Sequence, residues 1–382
     1  MNMKIKSITS IIIFIVCLDV EQLYSQNNYL QNSESNYTGQ AVKTSNRIIG
    51  ASFLTGYMIS HAKELVNLRG LHPQVYELDF GWHLNNDEVW NDCHCYPRIG
   101  VFLAYHNLIN KEVLGEGFSG GLSFTYFFGI PGFFNPHLKG KAGVSYLTKP
   151  FNKETHPKNM AYATHINFLI SVGTGISLRP VDDLEIQFDV SMNHQSNAAI
   201  LEPNGGINYW AISLSTNIFL DKPAFYERNI PDPYLTSEKK NRWDVSLSWG
   251  ISSMPFPMPG QVPMYGLTIL RSWQFGRVAA FTLAGELERN GRAVEITRRR
   301  EPGTSVDPFR ASVLTGVEFL MGRTIFSIQI GGYVHRPFKE KDDFYQRWGL
   351  VYNIWKNFYA GINFKSYRNS ADHVSIRGTY SF

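Results

Sequence analysis

The sequence predicts an all-β protein: an antiparallel transmembrane β-barrel of about 16 strands (14–16), placed after an N-terminal signal peptide. Three observations lead there. Side chains alternate apolar and polar with period two over long stretches, the mark of strands with one face in oil and the other in a polar setting. The first 25 residues read as an export leader. Aromatic residues, 14% of the chain, gather near strand ends as interfacial girdles do. Composition narrows the alternatives. Only 18% of residues are charged, below the ~25% of an ordinary soluble domain. Beyond the leader no run approaches the roughly 18 apolar residues of a spanning helix. A net charge of +4 on 382 residues is too small to argue for nucleic acid.

In the leader, Lys4 and Lys6 precede the apolar run Ile8 to Leu18, which only Thr9 and Ser10 interrupt. Leu23 and Ser25 then occupy positions −3 and −1 of a cleavage site before Gln26. Lipid attachment at Cys17 is the lesser reading, since Phe14, Ile15, Val16 and Leu18 suit a lipobox poorly. Cleavage leaves two cysteines, Cys93 and Cys95.

Alternation is strictest at 184–196, where Leu184, Ile186, Phe188, Val190 and Met192 face Glu185, Gln187, Asp189, Ser191 and Asn193. It recurs with Trp243, Val245, Leu247, Trp249 and Ile251, and again in the last strand with Val374, Ile376, Tyr380 and Phe382. In a membrane barrel the apolar set meets lipid and the polar set lines the lumen. Strands are expected near 47–60, 72–84, 98–107, 116–129, 135–147, 163–178, 183–196, 206–219, 242–254, 262–273, 277–289, 309–320, 323–335, 345–354, 357–366 and 372–382. Turns at Arg179–Asp182, Met321–Gly322 and Trp355–Lys356 are short, whereas 148–162 and 290–308 are long, as periplasmic turns and extracellular loops should be. Segments 85–97 and 220–241 depart from that rule. The terminal Tyr-Ser-Phe is similar to the assembly signal of Gram-negative outer-membrane barrels, so that membrane is the expected location.

The chain divides into a leader (1–25), an N-terminal periplasmic segment (26–46), a first barrel half (47–220), a polar, proline-bearing connector (221–241) and a second half (242–382). Both halves close on similar stretches, His194-Gln-Ser-Asn-Ala198 and Tyr367-Arg-Asn-Ser-Ala371. Duplication and convergent barrel grammar both account for this. One continuous barrel is expected, because closing a sheet once removes all its edges.

The most informative stretch runs from His194 to Asn208. His194 and Ser196 are two apart on a strand, so they share a face, and it is the apolar one. Asn208 falls on the same face of the next strand. A hydroxyl is a weak nucleophile until a neighbouring base takes its proton, and imidazole does so near neutral pH. A Ser, a His and a third polar group thus converge on the outer wall of the barrel. The plainer account is that polar residues sit there at headgroup level.

His-x-Ser-Asn followed by Pro-Asn-x-Gly-x-Asn resembles the motif of the PagL-type lipid A 3-O-deacylases, outer-membrane barrels that remove an ester-linked acyl chain from lipid A. The likeness is strongest over 183–219. It extends weakly through Pro97-Arg-Ile-Gly100, Lys149-Pro-Phe-Asn152 and Asn159, and the whole chain looks like the longer, Bacteroidetes-like acyloxyacyl hydrolases. The resemblance implies Ser196 as nucleophile and His194 as general base. It makes Asn197, Ala199 and Asn204 the oxyanion and support positions, through the Asn204 amide and the backbone N–H near Ala199. Ala199 stands where the family usually has Gly, and Asn208 where it has a catalytic Glu. An Asn holds imidazole in one tautomer but cannot offer imidazolium a full charge. Activity is then slower, leans on another acid such as Glu202, or is lost. Lipid A, or lipopolysaccharide, is the implied partner, reached sideways through outer-membrane lipid, with no cofactor and no metal; a homodimer is open.

Other motifs are weaker. Gly117-Phe-Ser-Gly-Gly121 matches G-x-S-x-G, which works only on a strand-to-helix elbow and here opens a strand. Cys93-His-Cys95 cannot easily close a tetrahedral metal site from one tripeptide. Arg298-Arg-Arg300 lies in a long loop, where it meets lipopolysaccharide phosphates or simply solvent. The competing function is a non-catalytic barrel, either a pore or a lipopolysaccharide-binding scaffold with a degenerate site.

Overall fold

Alternating sequences of this kind form strands whose backbone groups must pair with a neighbour on each side, so in lipid the sheet has to close. A computed structural model of the chain describes residues 45–60, 63–93, 95–223, 225, 241–339, 342–367 and 370–382. The leader, most of the N-terminal segment and most of the connector lie outside the described residues. Sixteen strands form, all antiparallel to their neighbours. The first eight are β1 (Ser45–Met58), β2 (Gln74–Leu84), β3 (Arg98–Asn107), β4 (Glu116–Phe127), β5 (Phe134–Leu147), β6 (Ile166–Val181), β7 (Leu184–Ser196) and β8 (Ile207–Phe219). The second eight are β9 (Arg242–Ser253), β10 (Gln261–Gln274), β11 (Ala279–Asn290), β12 (Phe309–Met321), β13 (Thr324–His335), β14 (Phe344–Trp355), β15 (Phe358–Tyr367) and β16 (Ser370–Ser381). β1 begins at Ser45, within the expected N-terminal segment. No described helix is long and apolar enough to cross a membrane.

The expectation of one continuous barrel is overturned: the strands close into two barrels of eight. β8 pairs back onto β1, from Ile48 against Phe219 to Met58 against Tyr209. β16 pairs onto β9, from Val374 against Ile251 to Ser381 against Asp244. The reason lies in the lumen-facing residues, which are sized and charged to meet across a narrow interior. Eight strands leave just enough room for side chains to fill. In the first barrel Arg98 of β3 forms a two-pronged ion pair with Glu185 of β7, at 2.9 and 3.0 Å. His137 of β5 meets Asp189 of β7 at 2.6 Å, and Lys141 of β5 pairs with Glu77 of β2. In the second, Arg347 of β14 reaches Glu286 of β11 at 3.1 Å, and Lys365 of β15 reaches Glu288 at 3.0 Å. In a single wide barrel these charges would face a water-filled channel instead of one another. A cavity of about 20 Å³ beside Lys139, Lys141 and Asp189 has room for a water molecule or so, not a path.

The faces fall as the alternation requires. Along β7, Glu185, Gln187, Asp189, Ser191 and Asn193 are buried in the lumen, while Phe188 and Val190 are exposed on the outer wall. Val190, midway along β7, is therefore a test of the membrane face. Val190→Arg should lower stability in vesicles by about 2–4 kcal/mol, read from denaturant titration of the refolded protein, with Val190→Leu unchanged. An unshifted midpoint for the arginine variant would mean that this wall does not meet lipid.

Two connections that broke the loop-length rule have explanations. Segment 85–97 holds a short helix α1 (Asp87–Cys93), capped by Asn86, whose Oδ1 accepts from the Val89 N–H at 3.0 Å. The Cys93 and Cys95 sulfurs are bonded to each other, which leaves them unable to serve as metal ligands. The other segment is the connector between the two barrels. The loop expected at 290–308 contains a helix, α2 (Gly291–Arg300). Asn290 caps it, accepting from the Arg292 and Ala293 N–H groups at 3.0 and 3.2 Å.

Candidate active site

The lipid-facing residues at the upper end of β7 and the start of β8 meet because of register. His194 lies directly opposite Asn208 in the β7–β8 ladder, and cross-strand partners on one face bring side chains into contact. His194 Nδ1 is 2.6 Å from Asn208 Oδ1, and its Nε2 is 2.8 Å from Ser196 Oγ. With the amide oxygen accepting, Nδ1 carries the proton, so Nε2 has a lone pair for the serine hydroxyl. The three residues form an unbroken hydrogen-bonded run on the outer wall. Ser196 is 4% exposed, recessed among Phe168, Ile170 and Trp210 of the same wall, which are 39%, 44% and 52% exposed.

The connection 197–206 folds over this run. Asn197 donates its N–H to Asn204 Oδ1 at 3.0 Å and its side-chain amide to the Leu201 carbonyl at 2.7 Å. The Asn204 oxygen is thereby occupied, and its NH2 edge is the part available to donate elsewhere. Glu202 Oε2 accepts from the Asn204 N–H at 2.9 Å. That contact gives Glu202 a part in shaping the loop, and the imidazole is held by Asn208. Ala198 and Ala199 both have left-handed backbone, with φ of 54° and 60°. The Ala198 N–H that enters this stretch donates to Ser196 Oγ, 3.4 Å away. The backbone N–H that faces the serine oxygen is thus that of Ala198, next to Ala199. Ala199 itself presents its carbonyl to the Ser253 N–H at 3.0 Å.

Support comes from the 148–165 connection. Asn159 donates to the Lys149 carbonyl at 2.5 Å and accepts from the Ala161 N–H at 3.0 Å. So braced, the Met160 and Ala161 carbonyls accept from the Gly205 and Gly206 N–H groups at 3.0 and 2.7 Å. Gly206 has a φ of 75°, and a Cβ there would lie 3.0 Å from His194 Cε1. Side chains are disfavoured on both counts. Gly206→Ala should therefore push the ring out of line and lower turnover about tenfold, measured as ester hydrolysis at saturating substrate, while the barrel still forms. Unchanged turnover would show that the ring tolerates displacement. Of these supports, Asn159 and Gly206, the glycine of Pro-Asn-x-Gly-x-Asn, carried a sequence signal; the carbonyl tethers are backbone and have none.

The remaining motifs sort themselves by location. Ser119 of Gly117–Gly121 is 2.7 Å from His106 Nε2, and His106 Nδ1 is 3.3 Å from Gln195 Nε2. All three are buried in the lumen, so this second serine–histidine pair has no access to a substrate. Glu288, Asp372 and His373 cluster closely enough to hold a metal. Lys365 already sits 3.0 Å from Glu288, and Arg310 2.8 Å from Asp372, so the positive charge is supplied by the protein. On α2, hydrogen bonds from Arg298 and then Arg299 hold the Glu295 carboxyl down, to about 2.

Comparisons with known proteins agree with this organisation. A family model described as "Lipid A 3-O-deacylase (PagL)" matches residues 74–217. A second, "Acyloxyacyl hydrolase, C-terminal domain", matches residues 241–382. No curated protein matches the chain. Among solved structures, the outer membrane enzyme PagL is 17% identical, covering 44% of this chain and 97% of its own, with a TM-score of 0.30. Neisserial surface protein A is 12% identical, covering 45% and 96%, with a TM-score of 0.32. A Rhodopseudomonas blastica porin is 6% identical, covering 89% and 99%, with a TM-score of 0.18. With one family model on each barrel and the His-x-Ser-Asn motif inside the first match, the chain belongs to the PagL-type lipid A 3-O-deacylase and acyloxyacyl hydrolase family.

Proposed function

We propose that the protein is an esterase of the Gram-negative outer membrane that removes an ester-linked 3-hydroxyacyl chain from lipid A. The observation that carries this reading is the hydrogen-bonded run Ser196–His194–Asn208 on the lipid-facing wall. Lipid A lies in the outer leaflet, and its acyl esters reach that wall without leaving the membrane.

Ser196 Oγ attacks the ester carbonyl as His194 Nε2 takes its proton. The oxyanion of the tetrahedral intermediate accepts hydrogen bonds from the Ala198 N–H and the Asn204 amide, donors set in place before charge develops. Collapse breaks the bond to the sugar oxygen, which receives the proton from His194, and leaves the acyl group on Ser196. Water, deprotonated by His194, then releases the 3-hydroxy fatty acid and restores the serine. Asn208 keeps the ring oriented through both steps but gives imidazolium only a dipole, not a charge.

Mass spectrometry of lipid A from cells with and without the protein tests the assignment. The expected result is loss of one 3-hydroxyacyl mass; unchanged spectra with the barrel folded in the membrane would oppose it. The Asn at position 208 favours one rival, a lipopolysaccharide-binding scaffold. For the other rival, a pore, the paired charges across each lumen are the opposing argument.

A further inference from the structure

The second barrel reaches the candidate active site. Gln261, the first residue of β10, donates from Nε2 to the Ile200 carbonyl at 2.6 Å. Ser253, the last residue of β9, donates its N–H to the Ala199 carbonyl at 3.0 Å. Gln261 and Ser253 are direct partners in the β9–β10 ladder. One rung at the rim of the second barrel therefore offers two donors to two consecutive carbonyls of the loop that carries the Ala198 N–H.

That loop needs outside support. Two successive non-glycine residues in left-handed backbone are disfavoured, and such conformations persist only when surrounding contacts over-determine them. Within the first barrel, Asn197 is tied to Asn204 and Leu201, and Gly205 and Gly206 to the 148–165 connection. The carbonyls of Ala199 and Ile200 are tied from the second barrel. The rung is itself braced: Met254 N–H bonds to the Gly260 carbonyl at 2.9 Å, and Arg299 of α2 to the Pro259 carbonyl at 2.8 Å. Ile296 of α2 packs with Met254 and Val262 beneath it. Phe256, in the turn between β9 and β10, meets Phe151 edge-on at 5.9 Å, touching the other loop that shapes the site.

We propose that Gln261, together with the Ser253 N–H, is a positioning element of the esterase site. The second barrel acts on catalysis by holding the 197–206 loop in the conformation that aims the Ala198 N–H at Ser196. This rests on the reading of Ser196 and His194 as catalytic. Neither Gln261 nor Ser253 touches the reacting atoms.

The test uses the full chain, refolded and assayed on lipid A in mixed micelles, with released 3-hydroxy acid as readout and heat-modifiable gel migration as the check on folding. Gln261→Met keeps length and removes the donor. Its kcat should fall roughly threefold with KM unchanged, and Ser253→Pro combined with it should take the loss to about tenfold. Gln261→Lys, which restores a donor of similar reach, should keep wild-type kcat; a purely structural role would not separate lysine from methionine. Wild-type kcat in the folded double variant, or equal losses for methionine and lysine, would overturn the inference while leaving the esterase intact. A wild type no more active than Ser196→Ala would overturn the esterase reading, and this inference with it.

Discussion

Ser196→Ala is expected to abolish release of the 3-hydroxy acid, with a loss of about 10⁴-fold or more. The hydroxyl has one hydrogen-bond partner of catalytic type, His194 Nε2 at 2.8 Å, and no other serine in the described structure is placed to replace it. The one comparable pair, Ser119 with His106, is buried in the lumen. Because the side chain shrinks by one atom at a strand end, the barrel should fold and migrate normally. His194→Ala should lose a similar amount, and the double variant no more than either single change, since the two residues act as one unit. Additive losses would mean that they act separately. Full activity in Ser196→Ala would remove the serine from the mechanism altogether.

Asn208 should separate orientation from charge. Asn208→Leu deletes the acceptor at Nδ1, frees the ring to turn and exchange tautomers, and should lower kcat by roughly 10²–10³-fold. Asn208→Asp is isosteric and keeps the 2.6 Å geometry, while giving the imidazolium a formal counter-charge. It should raise kcat about tenfold, to the extent that imidazolium formation limits the rate. Steady-state hydrolysis of lipid A in mixed micelles measures both. If Asn208→Leu were as active as wild type, the contact would have no role in catalysis; if Asn208→Asp were slower, the amide would be supplying more than orientation.

Local pattern made much of this legible. Side-chain direction alternates on a strand whatever the rest of the chain does, so Phe188 and Val190 could be placed on the outer wall and Gln187 and Asp189 in the lumen from sequence alone. The same parity put His194, Ser196 and Asn208 on one face. Their spacing also resembled a family motif, which supplied roles for Asn204 and Ala199 that alternation could not. The loop itself was less readable. Ala198 and Ala199 both take left-handed φ, and alanine carries no signal for that conformation. The helix Gly291–Arg300 sits in a stretch that the strand layout marks only as a long loop between two strands. Its cap at Asn290 and its packing through Ile296 were the signals available.

Legible in the sequence alone were the all-β class, about 16 strands (14–16), the faces of the clearly alternating ones and the trio of polar residues on the outer wall. These follow from local periodicity, a property of neighbouring residues. Only the tertiary structure decided that β8 returns to β1 and β16 to β9. Closure depends on which lumen side chains fill a narrow interior together, as Arg98 and Glu185 do across 87 residues of chain. It also decided that Gln261 reaches Ile200 from the other barrel, 61 residues along the chain. Such contacts are set by how two closed surfaces meet, and no alternation of neighbours along the chain encodes them.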